Sequence, residues 1–368
     1  MRSKKLKNLM SKSGLDALIA ISPENVFYST GANIKTQRYL RDRLAISVIS
    51  ENKDDSLIIC SVEENVVRKQ TWIKDIRTYI EFKESPMVLL ADLITERGLE
   101  KGRIGVETHY LASCYYKQLI ELLPYVTLVE CSDVFNKVRM LKDPDEIKLL
   151  VKMAKIAEKA ITAALLMSKP GNSELQLTNQ IIFNELNQGI EEIPFMFLGA
   201  GKKSGLLHPI PSEDVIMKTG DLIRFDFGGF LDGYWSDIAR TVVVKKASSL
   251  QQDIYKKLIL IHNKVFEKIQ IGIRVCDIYN YAKNVYTELN VPFIMPLVGH
   301  GLGLECHEYP IINPCNQEKI QENMIINIEF IILNNGLGYQ IENLIHIGSK
   351  GPKLITGTDM DDKLPVID

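Results

Sequence analysis

No two of the six cysteines, Cys60, Cys114, Cys131, Cys276, Cys306 and Cys315, stand at a short paired spacing. That excludes a zinc ribbon or a Cys-x-x-Cys redox pair and leaves no disulfide framework to read. No apolar run approaches the roughly 20 residues that span a bilayer. The apolar run Leu18-Ile-Ala-Ile21, which follows a basic amino terminus, is short and lacks a cleavage-like ending, so no signal peptide is expected. Neither charge sign is in excess: the formal net charge is −2, which gives no electrostatic footprint for nucleic acid or an anionic membrane. Low-complexity tracts and obvious sequence repeats are absent as well. What remains is a chain of 368 residues, 46% hydrophobic and 24% charged, the composition of an ordinary globular protein. Its length favours two domains. The expectation is a cytoplasmic protein with free thiols.

The first third alternates helix-like and strand-like segments. Residues 5–13, 86–97 and 114–123 read as helices, and 16–22, 44–50, 56–60, 103–107 and 126–131 as strands, which predicts a small α/β domain. Near residue 140 the pattern changes. Asp143-Pro144-Asp145-Glu146 offers an N-cap, a proline at the first helical position and an acidic third residue. Apolar residues then recur at Ile147, Leu150, Val151, Ala154, Ala157 and Ile161, as an amphipathic helix requires. Further helices are expected over 174–187, 250–270 and 276–289. With hairpins between them they predict an α+β domain. The boundary is placed within 133–142, giving domains 1–135 and 136–368.

Two hairpins carry the chemistry. Leu222-Ile-Arg-Phe-Asp-Phe-Gly228 and Trp235-Ser-Asp-Ile-Ala-Arg-Thr-Val-Val243 flank the turn signal Asp232-Gly233. Pairing outward from that turn sets Ala239 opposite Asp226, with Asp237 as its diagonal neighbour on the same face. The second hairpin turns at Asn335-Gly336 and sets Glu329 directly opposite Glu342. Acidic residues on strands are commonly just a solvated face. Opposed carboxylates, however, repel, and a divalent cation between them is the simplest remedy.

A fifth candidate lies in Val298-Gly-His-Gly-Leu-Gly-Leu-Glu-Cys-His-Glu308, where His300 and His307 sit on a glycine-bracketed loop that fits neither nucleotide fingerprint. Hard carboxylate oxygens with one imidazole suit manganese, cobalt, zinc or iron rather than a thiolate-rich structural site. The carboxylates of Asp226, Asp237, Glu329 and Glu342 exceed what one catalytic ion needs, so two ions are implied. His208, in Ser204-Gly-Leu-Leu-His-Pro209, is weaker on its own context, and His109, His262 and His346 have no supporting context.

The order and spacing of these stretches resemble the pita-bread metallopeptidases, in particular the Xaa-Pro dipeptidase (prolidase) and Xaa-Pro aminopeptidase branch that shares its fold with creatinase. Gly14-Leu-Asp-Ala-Leu-Ile-Ala-Ile-Ser-Pro-Glu-Asn-Val26 is similar to the opening of the creatinase-type amino-terminal domain, and Val138-Arg-Met-Leu-Lys-Asp-Pro-Asp-Glu-Ile147 to the linker into the catalytic domain. The resemblance implies Asp226 on one metal ion, His300 with Glu329 on the other, and Asp237 and Glu342 bridging both. It further implies a metal-bridging water, Glu329 as general acid/base, and His208 and His307 as histidines that steady the tetrahedral intermediate. The expected cofactors are two divalent ions, Mn2+ first, with Co2+ or Zn2+ as alternatives. A short Xaa-Pro peptide is the expected substrate and a homodimer the expected assembly.

Four positions depart from the family pattern. Pro296 stands where many relatives carry a histidine, Gln340 where an arginine is usual, Phe330-Ile331 where a proline-glycine or similar pair follows the first glutamate, and Asn343 where an aspartate follows the second. None removes a metal ligand. Loss of a fixed guanidinium at 340 weakens bidentate carboxylate recognition. Two rival functions stand beside the peptidase: an amide or amidine hydrolase acting on a small metabolite, and a non-catalytic peptide-binding relative. The complete ligand set speaks against the second.

Overall fold

Short, fully buried apolar runs near the amino terminus form the centre of a mixed sheet in a computed structural model, which describes residues 2–40, 42–51, 53–358 and 360–368. The chain divides into two units, Met1–Arg139 and Met140–Asp368. In the first, strands β1 (Ala17–Ala20), β2 (Ile46–Ser50), β3 (Ser56–Cys60), β4 (Asp75–Tyr79), β5 (Arg103–Val106) and β6 (Thr127–Glu130) lie in the order β4-β3-β2-β1-β5-β6. β1 pairs antiparallel with β2 and parallel with β5. The strand pattern of residues 16–22, 44–50, 56–60, 103–107 and 126–131 is therefore present with trimmed ends. β4 was not read from sequence, because Asp75-Ile-Arg-Thr-Tyr79 is polar and mostly half-exposed at a sheet edge. Helices Pro23–Thr30 and Ser132–Met140 were also missed, the latter lying where a linker was expected.

The second unit begins as its capping signal requires. Glu146 Oε2 accepts from the Asp143 amide at 2.7 Å, and the helix Pro144–Met167 follows. Helix Glu174–Asn187 then leads into β7 (Glu192–Ala200), β8 (Leu222–Leu231), β9 (Tyr234–Trp235) and β10 (Ile238–Val244). A second helix pair, Ser249–Lys268 and Val275–Glu288, leads into β11 (Gly299–Gly301), β12 (Glu308–Ile311), β13 (Ile325–Asn334), β14 (Leu337–Gly348) and β15 (Gly351–Leu354), with β16 (Val366–Ile367) returning beside β10. The sheets run β16-β10-β8-β7 and β12-β11-β13-β14-β15. Two helices followed by a hairpin sheet thus occur twice, although no repeat shows in the sequence. Each helix pair covers its own sheet through an apolar core: Ala157, Leu177 and Ile181 against Phe225 and Phe227 in one half, Leu258, Ile278 and Tyr286 against Ile328 and Phe330 in the other. The residues that repeat are core residues, and many apolar side chains fill a core equally well, so topology is retained without sequence identity.

Thr241 ties the two sheets. Its hydroxyl donates to the Gln340 carbonyl at 2.9 Å and accepts from the Gln340 amide at 2.8 Å. That contact brings the central strands of both hairpins together.

Candidate active site

Both hairpins close through two-residue turns with left-handed backbones, φ 51° and 87° at Asp232 and Gly233, and φ 51° and 78° at Asn335 and Gly336. Such turns match the right-handed twist of the flanking strands and so fix register. Ala239 pairs with Asp226, and Glu329 with Glu342, as expected. In β11, His300 pairs with Asn327 of β13, so His300, Asn327 and Glu329 share a face. His300 Nε2 lies 3.3 Å from Glu342 Oε1, 3.8 Å from Asp237 Oδ2 and 4.0 Å from Glu329 Oε1.

The imidazole of His300 is fully buried, and its Nδ1–H donates to the Gly301 carbonyl at 3.0 Å. That bond leaves Nε2 as the ring nitrogen facing the carboxylate oxygens, free to offer its lone pair to a metal ion. Nε2 and Asp237 Oδ1 are both buried without a hydrogen-bond partner among the described residues. Lone pairs facing lone pairs in a desolvated space call for a cation, and an imidazole oriented by a backbone carbonyl is how protein-bound metals are commonly held. The donor set fits a divalent metal ion.

The electrostatics agree. Burial first, and then the charge on Glu342, push the carboxyls of Asp226, Asp237 and Glu329 well above the usual carboxylate range. Burial alone raises Glu342, against the pull of Asn327. Four carboxylates that resist ionisation together are stabilised by added positive charge.

Several supporting residues escaped sequence reasoning. Asn327 Nδ2 donates to Glu342 Oε1 at 2.8 Å and to the Asp237 carbonyl at 3.1 Å. It stands two residues before Glu329 on the same strand, so the period of two could have marked it. Behind Glu342, Asn343 Nδ2 donates to His262 Nε2 at 3.0 Å, while Asn343 Oδ1 accepts from Arg240 at 2.9 Å and from Thr356 at 3.0 Å. Burial pushes His262 down to about 4, which keeps the ring neutral and able to accept. His262 had no visible context in sequence, since Asn343 lies 81 residues away.

Gln340 changes the expected picture most. Its Nε2 donates to Asp226 Oδ2 at 3.0 Å, and its Oε1 accepts from Arg224 Nη1. Arg224 is 1% exposed and also donates to the carbonyls of Ser204, Leu206 and Leu207. A guanidinium is thus present after all. It comes from β8 rather than β14 and reaches Asp226 through an amide. The same arginine holds the backbone leading to His208.

Of the histidines, His307 stacks on His300 with ring centroids 3.8 Å apart and 21° between planes. Partial desolvation of the ring where it stacks, and then the neighbouring His300, lower it to about 4, although the residue as a whole is exposed. His208 is exposed, and its ring packs 4.7 Å from that of Phe197, the strand partner of Asp226. It lies beside the cluster rather than in it. Pro296 is exposed in the loop before β11.

Residues 148–349 match the model of metallopeptidase family M24, and residues 2–141 that of the creatinase/prolidase N-terminal domain. The Xaa-Pro dipeptidase of Pyrococcus horikoshii is 26% identical over 361 residues, covering 97% of each chain. A solved dipeptidase structure from the same organism superposes with TM-score 0.88 at 27% identity, covering 100% of both chains. The X-Pro aminopeptidase structure from Thermotoga maritima gives TM-score 0.86 at 22% identity, covering 100% of this chain and 99% of that one, a likeness of fold. With all of its donor cluster inside the matched segment, the chain belongs to metallopeptidase family M24 and is a metal-dependent hydrolase of pita-bread fold with a creatinase-type amino-terminal domain.

Proposed function

We propose that this hydrolase is a two-metal exopeptidase that cleaves the amide bond between any residue and proline in dipeptides or short peptides. The observation that carries the reading is the buried, unpartnered Nε2 of His300 facing the carboxylates of Asp237, Glu329 and Glu342. The relatives named for Xaa-Pro substrates point the same way.

In this reading Asp226 would hold one ion and His300 with Glu329 the other, with Asp237 and Glu342 available to both. Carboxylates with a single imidazole favour manganese, with cobalt or zinc next. When bound, the ions supply acidification of a water molecule and polarisation of the scissile carbonyl. The chain's own residues do the rest. Glu329 takes a proton from the attacking water and passes it to the leaving proline nitrogen, a task for a carboxylate held within hydrogen-bond reach of both. His307, held neutral against His300, donates a hydrogen bond to the developing oxyanion, and His208 does so from the neighbouring loop. Asn327 and Gln340 fix the carboxylates of Glu342 and Asp226. The reading also places the enzyme in the cytoplasm, where its cysteines stay reduced, and includes a homodimer.

The test is hydrolysis by protein stripped of metal and resupplied with manganese or cobalt, with Ala-Pro, Ala-Pro-Ala and Ala-Ala-Ala as substrates. Cleavage of Ala-Pro identifies a dipeptidase, and cleavage of Ala-Pro-Ala alone an aminopeptidase. No turnover of either, with metal stoichiometrically bound, overturns the reading.

A further inference from the structure

Cys306 takes no part in the mechanism above, yet its thiol is placed inside the site. The loop between β11 and β12 is pinned where the Trp235 amide donates to the Gly303 carbonyl at 2.8 Å. It carries Cys306 Sγ to 3.0 Å from Asp237 Oδ2. One donor atom each from Asp237, Cys306 and His307 lies within 4.8 Å of the others. A tetrahedral zinc ion with ligands at about 2.0–2.3 Å sets its donors roughly 3.3–3.8 Å apart, so side-chain movement of about 1 Å closes the set. Asp237, the residue common to this group and the carboxylate cluster, is 7% exposed and offers Oδ2 to the thiol, while its Oδ1 has no hydrogen-bond partner among the described residues. Cys306 is half-buried and His307 exposed, which leaves an entry path and a coordination position for water.

We propose that Asp237, Cys306 and His307 form a soft-metal site at the rim of the carboxylate cluster, one that takes zinc or cadmium through a thiolate. The donor chemistry differs from that of the cluster beside it. Oxygen ligands with one imidazole suit manganese, whereas a thiolate selects zinc or cadmium. Binding exchanges the thiol proton for the ion, the proton leaving to solvent. Because Asp237 belongs to both groups of donors, filling the rim site withdraws one oxygen from the cluster and ties down His307. Excess zinc therefore inhibits the enzyme. This consequence rests on the peptidase reading, while the site itself does not.

The experiment uses the full chain, loaded with manganese and titrated with cadmium while near-ultraviolet sulfur-to-cadmium charge-transfer absorbance and total metal content are followed. The difference between wild type and Cys306→Ser is read, since both keep the other five cysteines. We expect a difference band that saturates at one cadmium per chain, with at most one manganese released, and a sulfur neighbour at about 2.3 Å by X-ray absorption of the zinc form. His307→Ala weakens the cadmium affinity read from that band by about 10-fold or more, at least what is lost with an outer partner of a metal site. A Cys306→Ala variant, checked by circular dichroism, repeats the comparison without the serine hydroxyl. Equal absorbance in wild type and both variants overturns the proposal, as does cadmium that replaces manganese one for one without a sulfur band. The absorbance needs no substrate. Failure to cleave Ala-Pro leaves it standing, and a missing band in an enzyme that cleaves Ala-Pro sinks only the rim site.

Discussion

Glu329 and Glu342 are directly opposed across the β13–β14 hairpin, and the Nε2 of His300 lies 4.0 Å from the first and 3.3 Å from the second. Asn327 fixes one oxygen of Glu342. A carboxylate that faces another and is held by a neutral amide is placed to share a cation. On the two-metal proposal, replacing Glu342 by alanine should therefore abolish binding of the second metal ion, so that atomic emission finds one manganese per chain or none. Two tightly bound ions in Glu342→Ala would refute the shared role.

Glu329 is given two tasks, ligand and proton carrier, and glutamine separates them. Glu329→Gln keeps an oxygen for the metal but has no carboxylate to take the proton. Turnover of Ala-Pro should fall by about 10²–10⁴-fold, the usual worth of a positioned general acid or base. Manganese saturation during the assay, verified by titration, makes metal loss an insufficient explanation. A fall of under about threefold would remove Glu329 from proton transfer.

Metal-free protein should lose stability as pH rises. Glu342 is pushed up to about 7 and Glu329 to about 8, above the value of about 4.3 for a glutamate in an unfolded chain. Between those limits the folded state binds more protons than the unfolded one, so unfolding free energy falls with pH. The melting temperature in chelator should accordingly drop from about pH 5 to about pH 8, and the gain on adding manganese should grow over the same window. A chelated protein whose melting temperature is flat or rises there contradicts the burial of these carboxyls.

Arg224 and Gln340 form a relay to Asp226, and its arrangement can be inverted. Gln340→Arg alone should set two guanidinium groups against each other and weaken manganese binding by about 10–100-fold, the range seen when outer partners of a metal site are lost. Adding Arg224→Leu should recover part of that affinity. Isothermal titration of Gln340→Arg, Arg224→Leu and the double variant gives the coupling, and strict additivity would show that the two residues do not act on one carboxylate.

The ion pair of Lys142 and Glu308, at 2.6 Å with side chains 1% and 3% exposed, lies next in sequence to His307. Truncating one member leaves the other charge buried, and Lys142→Ala should cost about 3–5 kcal/mol in denaturant unfolding. The double change Lys142→Met with Glu308→Leu should recover most of that stability. A single substitution that costs under about 1 kcal/mol would mean that the remaining charge reaches solvent.

Much of the candidate site was legible because local rules govern it. A two-residue turn of Asp-Gly or Asn-Gly fixes the register of the strands on either side, so the opposition of Glu329 to Glu342 and the pairing of Ala239 with Asp226 follow from spacing. The helix start at Asp143 was readable from its capping pattern, in which Glu146 accepts from the Asp143 amide. Polar edge strands such as β4 were not, since their alternation is weak where no face is fully buried.

The sequence by itself determined the hairpins, their registers and the carboxylates each presents, for these depend on residues a few positions apart. Only the tertiary structure decided which distant side chains complete the site. Arg224 meets Gln340 across 116 residues, Asn343 meets His262 across 81, and Cys306 meets Asp237 across 69. The first and third form where two sheets join through Thr241 and Gln340, the second where helix Ser249–Lys268 covers β14, and each depends on packing rather than on local backbone preference. Position 340 illustrates the difference. Read along the chain it is a missing arginine, whereas in the folded protein it is an amide that hands on the charge of an arginine from the neighbouring sheet.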